Sequence, residues 1–150
     1  MLERMTEKDW KNIRFMNSLA DTWGDKTKMA KKLVTEIDNM RIICGRTIQL
    51  TCKAYGIDGH SENSQHYLGN AADIKILGVS LFKMFLIVDT YDFNAIGLYP
   101  NSGNPYIHVD VRELKKGDPK VRWIYVHGKY YYGDEYQNEF AANVERKQNA

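Results

Sequence analysis

The segment Tyr106-Ile107-His108-Val109-Asp110-Val111-Arg112 alternates apolar and polar residues, with an imidazole, a carboxylate and a guanidinium among the polar ones. In a strand, successive side chains point to opposite sides. Ile107, Val109 and Val111 therefore take one face, and Tyr106, His108, Asp110 and Arg112 the other. A second ionisable cluster precedes it. His66 ends a loop rich in Gly, Asn and Ser, and Asp73 lies in Ala71-Ala72-Asp73-Ile74-Lys75-Ile76, where Ala71, Asp73 and Lys75 share a face. Two imidazoles and a carboxylate, with a fourth position left to water, form the ligand set of a catalytic zinc site. On residue type and spacing alone, a solvated outer face carrying histidines by chance explains the same pattern.

The elements that must position these groups can be read from periodicity. Thr6 and Asp9 mark a helix start. Trp10, Ile13, Met16, Ala20 and Trp23 recur at steps of three and four, which predicts one amphipathic helix ending at Gly24-Asp25-Lys26. A second helix carries Met29, Leu33, Ile37 and Met40 on one face and Lys31, Lys32 and Glu36 on the other, with Gly45 closing it. The period then changes to two at Thr47–Cys52, a strand. Tyr55 to Gly69 is a long loop, of the length that usually carries function. Ala71–Ile76 is the next strand, Ser80 caps a helix with Leu81, Phe82, Phe85, Leu86 and Val88, and Ala95–Tyr99 and Tyr106–Arg112 are strands three and four. Val121–Val126 and Tyr130–Tyr132 flank His127-Gly128-Lys129 as a hairpin, and a polar helix runs from Asn138 to Ala150. Helices first, then mainly strands, predict an α+β fold with a small antiparallel sheet and helices on one face.

Composition sets bounds on these readings. The chain has 150 residues, is 43% hydrophobic, and contains 10 Tyr, 5 Phe and 3 Trp, enough for one domain with a real core and incompatible with disorder. A net charge of +2 does not supply the concentrated basic face of a nucleic-acid reader. No apolar run reaches the ~20 residues that span a bilayer. The first ten residues hold acidic groups and no apolar stretch, so no secretory signal is expected and synthesis is placed in the cytoplasm. Cys44 and Cys52 are expected to be reduced core thiols.

The stretch Ser64-x-His66-x-x-Gly69-x-Ala71-x-Asp73 matches the Ser-x-His-x-x-Gly-x-Ala-x-Asp signature of the zinc D-alanyl-D-alanine peptidases, and the sequence resembles that family. Ala95–Tyr99 followed by Ile107–Arg112 resembles its second motif, and the likeness runs from about Met29 to about Trp123. The nearest variants in pattern are small phage and prophage endolysins and related peptidoglycan peptidases. The resemblance implies a zinc DD-peptidase type of fold, a Zn²⁺ held by His66, Asp73 and His108, and hydrolysis of a peptide bond in peptidoglycan stem peptides. It implies action at the cell wall, with no nucleic-acid or membrane partner. Ser64, Lys53, Tyr55 and Arg112 become the candidate substrate-binding residues, Tyr55 standing where many members carry an anion-binding Arg. Several subfamilies place an acid or His just before the third ligand; here those positions are Pro105 and Tyr106. Asp110 is then the candidate catalytic carboxylate, as general base or as the group that orients a liganding imidazole. The alternative is a non-catalytic zinc-containing binding or structural protein, for example of a virion, on the same fold. A metal nuclease lacks the paired carboxylates for two metals. Among the remaining residues, His60 and His127 are expected as solvated loop histidines and Glu62 as a second candidate base. The aromatic residues of 123–136 are expected as edge-strand packing, with sugar stacking as the alternative.

Overall fold

The computed structural model describes residues 1–18 and 20–148, without the side chains of 18, 20–21 and 144–148. The chain opens with α1 (Glu7–Lys11), whose capping box is complete: Thr6 Oγ1 accepts from Asp9 N–H and the Asp9 carboxylate accepts from Thr6 N–H. The single helix expected as far as Trp23 does not form. After Asn12 the chain turns, passes through a 3₁₀ turn at Met16–Ser18, and re-enters a short α2 (Ala20–Trp23). The cause lies in the next helix, α3 (Lys31–Cys44). Its buried Asp38 accepts hydrogen bonds from the backbone N–H groups of Arg14, Phe15 and Met16, at 2.9–3.1 Å. A carboxylate that captures three successive N–H groups takes the donors an intervening helix would need. Trp10, Ile13, Met16 and Trp23 are nevertheless all buried, as their spacing implied. The burial of Ala20 lies outside the described residues.

Helix α3 ends at Gly45 in the left-handed region (φ 65°), as expected. Then follow β1 (Ile48–Leu50), a loop with a 3₁₀ turn at Gln65–Leu68, β2 (Ala71–Ile76), α4 (Leu81–Val88, capped by Ser80), β3 (Ala95–Tyr99) and β4 (Tyr106–Asp110). The chain closes with β5 (Val121–Val126), β6 (Lys129–Tyr132) and α5 (Gly133–Gln148). The β5–β6 turn has positive φ at His127 (50°) and Gly128 (77°), the conformation that matches strand twist in a two-residue hairpin. Strand β4 stops two residues earlier than its alternation suggested, and α5 begins earlier than Asn138; residues 149–150 lie outside the described part.

The six strands form one sheet in the order β1-β2-β4-β3-β5-β6, giving an α+β fold. The sheet is mostly antiparallel, as expected, with one parallel pair, β3 and β5. Strand β4 already occupies one edge of β3, so the segment 111–120 crosses over and lays β5 along the other edge in the direction of β3. One face of the sheet, with Ile74, Ile76, Ile96, Leu98, Ile107, Val109, Ile124 and Val126, belongs to the core cluster shared with Leu33, Val34, Ile37, Met84, Val88 and Tyr136 of the helices. On the opposite face, cross-strand register aligns Asp73, His108, Gly97, Trp123 and Tyr132 in one row over five strands.

Candidate metal centre

Each fixed position of the first motif has a local mechanical reason. The Ser64 hydroxyl accepts from His66 N–H and starts the 3₁₀ turn that carries the imidazole. Gly69 ends that turn at φ 72°, and a Cβ there would lie 2.0 Å from the carbonyl oxygen of Lys28. Both the backbone angle and the close approach therefore demand glycine. Ala71 is fully buried opposite Asp110, where a larger side chain would press on the strand that carries His108.

His66 Nδ1 lies 2.8 Å from the carbonyl oxygen of Ala54, so it carries the proton and donates. That leaves Nε2 bare, 3.3 Å from Asp73 Oδ1. His108 meets the same Asp73 oxygen with Nδ1 at 3.0 Å, and its Nε2–H donates to Asp110 Oδ2 at 2.8 Å. One nitrogen of each imidazole and one oxygen of Asp73 thus converge, on residues only 2–8% exposed. Zinc–ligand bonds of ~2.0–2.2 Å in a tetrahedron put donor atoms about 3.3–3.5 Å apart. The observed separations and the all-N/O donor set fit that ion.

Behind His108, Asp110 is fully buried. Its two oxygens accept from His108, from the Arg112 backbone N–H, and from Arg112 Nε and Nη2 at 2.9 and 2.7 Å. Burial works against ionising this carboxyl, but Arg112 and His108 outweigh it and hold its pKa at about 2. Burial equally opposes charge on His108, yet hydrogen bonds to Asp110 and Asp73 raise its pKa to about 9. Asp73, despite burial, is held well below the usual carboxylate range by the imidazoles that face it, His108 foremost.

A cleft of about 480 Å³ opens over this centre, lined by His60, Ser64, Tyr106, Arg112, Trp123 and Tyr132 among others. Lys53 and Tyr55 instead line a neighbouring cleft of about 780 Å³ together with Cys52 and His60. Glu62 is exposed in the loop, and His127 is exposed in the hairpin turn. Tyr131 and Tyr136 pack against the core, whereas Trp123, Tyr130 and Tyr132 face the cleft.

Two site residues were not anticipated from sequence. His60, expected in solvent, is half-buried and stacks on His66, with ring centroids 4.0 Å apart and planes 5° apart. The Tyr67 hydroxyl clamps it, accepting from His60 N–H and donating to His60 C=O. The stacking needs the loop to fold back on itself, and nothing in local periodicity encodes that return. Burial and the adjacent His66 push the His60 pKa down, which keeps it neutral near pH 7. Cys52, expected in the core, instead places its thiol 3.3 Å from Asp73 Oδ2. Burial and the Asp73 charge push that thiol up to about 12.

The family model described as peptidoglycan L,D-endopeptidase MepK matches residues 6–117. No curated protein and no solved structure matches the chain. The matched span includes α1 to β4, and with them His66, Asp73 and His108, on the elements described above. The chain belongs to this family of metallopeptidases that act on peptidoglycan.

Proposed function

We propose that the protein is a zinc-dependent endopeptidase that hydrolyses a peptide bond within peptidoglycan stem peptides, with His66 Nε2, Asp73 Oδ1 and His108 Nδ1 as the metal ligands. The observation that carries this reading is the convergence of those three buried donor atoms, 3.0–3.3 Å apart where they meet Asp73, beneath an open cleft. The family description points to an L,D bond as the one cut. Zinc, when bound, supplies Lewis-acid polarisation of the scissile carbonyl and lowers the pKa of water toward ~7. The chain's own residues do the rest. The Ala54 carbonyl and the Asp110 carboxylate each accept a hydrogen bond from an N–H of a liganding imidazole and so fix which nitrogen faces the metal. Asp110 is a positioning residue in this reading, because Arg112 and His108 engage both of its oxygens, away from the cleft. Neutral His60, at the cleft wall, takes the proton from the attacking water and returns it to the leaving amine. Burial raises the pKa of the Tyr106 phenol, which stays protonated and donates to the developing oxyanion.

The test is digestion of purified peptidoglycan, followed by mass spectrometry of the fragments. New amine and carboxyl ends within the stem peptide, abolished by chelator and restored by zinc, are expected. A zinc-loaded protein that releases no fragments from walls of any cross-link type would leave the non-catalytic alternative in its place.

A further inference from the structure

The cleft continues past the metal centre onto an aromatic shelf that hydrolysis of a free peptide does not require. It consists of two adjacent rows on the same sheet face. The first runs from His108 over Gly97 to Trp123 and Tyr132, with ring centroids 5.2 Å apart for His108–Trp123 and 6.2 Å for Trp123–Tyr132. The second joins Tyr106, Tyr99, Tyr125 and Tyr130, at successive centroid distances of 4.6, 5.6 and 4.6 Å. Gly97 lets the Trp123 indole lie directly on the strand: a Cβ there would meet the indole at 2.2 Å. The Trp123 indole N–H is held by the Tyr99 hydroxyl at 3.1 Å. At the outer end, Tyr130 and Tyr132 are 49% and 53% exposed, and their planes lie within 24° of each other with centroids 6.4 Å apart. Strands β5 and β6 lie beyond residues 6–117, where the family match ends.

We infer that this shelf binds the pyranose ring of the N-acetylated amino sugar to which a stem peptide is attached. The inference rests on the peptidoglycan reading above and adds a glycan subsite to it. The carboxylates of a stem peptide are repelled by the negative face of an aromatic ring, and its amines call for a cation-binding ring with an acid nearby, which this end of the cleft does not supply. A sugar ring presents a flat row of C–H groups, which complement the negative face of a Tyr or Trp ring. Trp123 is 7% exposed and lies under the Arg112 guanidinium, 5.6 Å from its ring centroid, with Arg112 also bonded to Asp110; the open part of the shelf is Tyr130 and Tyr132, which carry no formal charge. Reach agrees as well. An extended chain spans ~3.3–3.6 Å per residue, so roughly three to four residues bridge the two ring-to-ring steps of 5.2 and 6.2 Å from His108 to Tyr132. Exposed aromatic rings continuous with a polar cleft mark a binding surface. The enzyme therefore prefers stem peptides still joined to their glycan over freed ones.

The experiment compares zinc-loaded wild type with Tyr130→Ala/Tyr132→Ala and Tyr130→Phe/Tyr132→Phe double variants. Both positions are exposed on an edge strand, so folding survives. Substrates are cross-linked stem peptides carrying their disaccharide, and the same peptides after the sugar is removed. For wild type, kcat/KM is expected to be at least tenfold higher with the sugar, through KM. The Ala pair should bring that ratio near one, and the Phe pair should restore it. In parallel, calorimetric titration with an N-acetylglucosamine tetramer should show binding to wild type and the Phe pair, and none to the Ala pair. Tetramer binding by a protein that cleaves no wall would uphold the shelf and remove the peptidase reading. Equal kcat/KM for both substrates with no tetramer binding would overturn the inference. So would a concentration-dependent dimer lost in the Ala pair, which would assign the shelf to a second copy of the chain.

Discussion

Asp110 and Arg112 show how much of the proposed metal centre lies outside its three ligands. Asp110 does not itself line the cleft, yet it selects the His108 nitrogen that faces Asp73 and is itself fixed by a two-point guanidinium bond. Asp110→Asn keeps the shape, but its amide cannot accept from both His108 and Arg112 with both atoms. Zinc affinity should therefore fall about 10–100-fold, the usual effect of losing such a partner. Competition against a chromophoric chelator measures it, and unaltered affinity with lost turnover would instead make Asp110 a proton carrier. A second expectation follows from His108, whose pKa is raised to about 9. Zinc binds the neutral imidazole, so below that pH one proton must leave as the metal enters. Affinity should rise about tenfold per pH unit from 7 toward 9 and then level, with about one proton released per zinc at pH 7. Calorimetry in buffers of different ionisation enthalpy reads the proton count, and a pH-independent affinity would contradict the assignment of Nδ1 as ligand.

At the scale of elements, the N-terminal segment depends on a single buried group. The Asp38 carboxylate holds the backbone of Arg14, Phe15 and Met16 and thereby docks the 3₁₀ turn on α3, where Trp23 Nε1 also donates to the Met16 carbonyl. Asp38→Ala would orphan those donors and cost about 1.5–3 kcal/mol, the range for hydrogen bonds to a charged group. Urea unfolding followed by tryptophan fluorescence is the measurement, since Trp10 and Trp23 pack edge to face in this segment. A midpoint equal to wild type would mean that the contacts of the N-terminal segment do not contribute to global stability.

For the whole molecule, the metal centre is backed by a core that does not use the metal. Two of the proposed ligands, Asp73 and His108, sit on one face of the sheet with His66 brought over them by the 3₁₀ turn, while Ile74, Ile107 and Val109 on the same strands belong to the helix-covered core. A zinc finger, by contrast, has no such core and unfolds without its ion. Chelation should leave the far-UV circular dichroism spectrum unchanged and the thermal transition cooperative, with Tm lower by the linkage of zinc to the native state. Loss of the cooperative transition on chelation would show that the centre is structural. No described helix is long and apolar enough to cross a membrane.

The sequence by itself determined what depends on local rules. The alternation in 71–76 and 106–110 set which side chains share a face. The 3.6-residue stripe of α3 and the Gly45 stop follow from helix geometry, and the two motifs of the family resemblance pointed to His66, Asp73 and His108, which the structure brings together. Long-range choices lay beyond it. Asp38 breaks the expected N-terminal helix from more than twenty residues away, and β5 pairs in parallel with β3 because β4 has taken the other edge. His60 reaches His66 only because the loop returns on itself, and Gly97 matters only because Trp123 lies over it. Periodicity reports the face a residue takes, since that is fixed by its own backbone. Which residue from another element arrives at that face is decided by the packing of the whole chain.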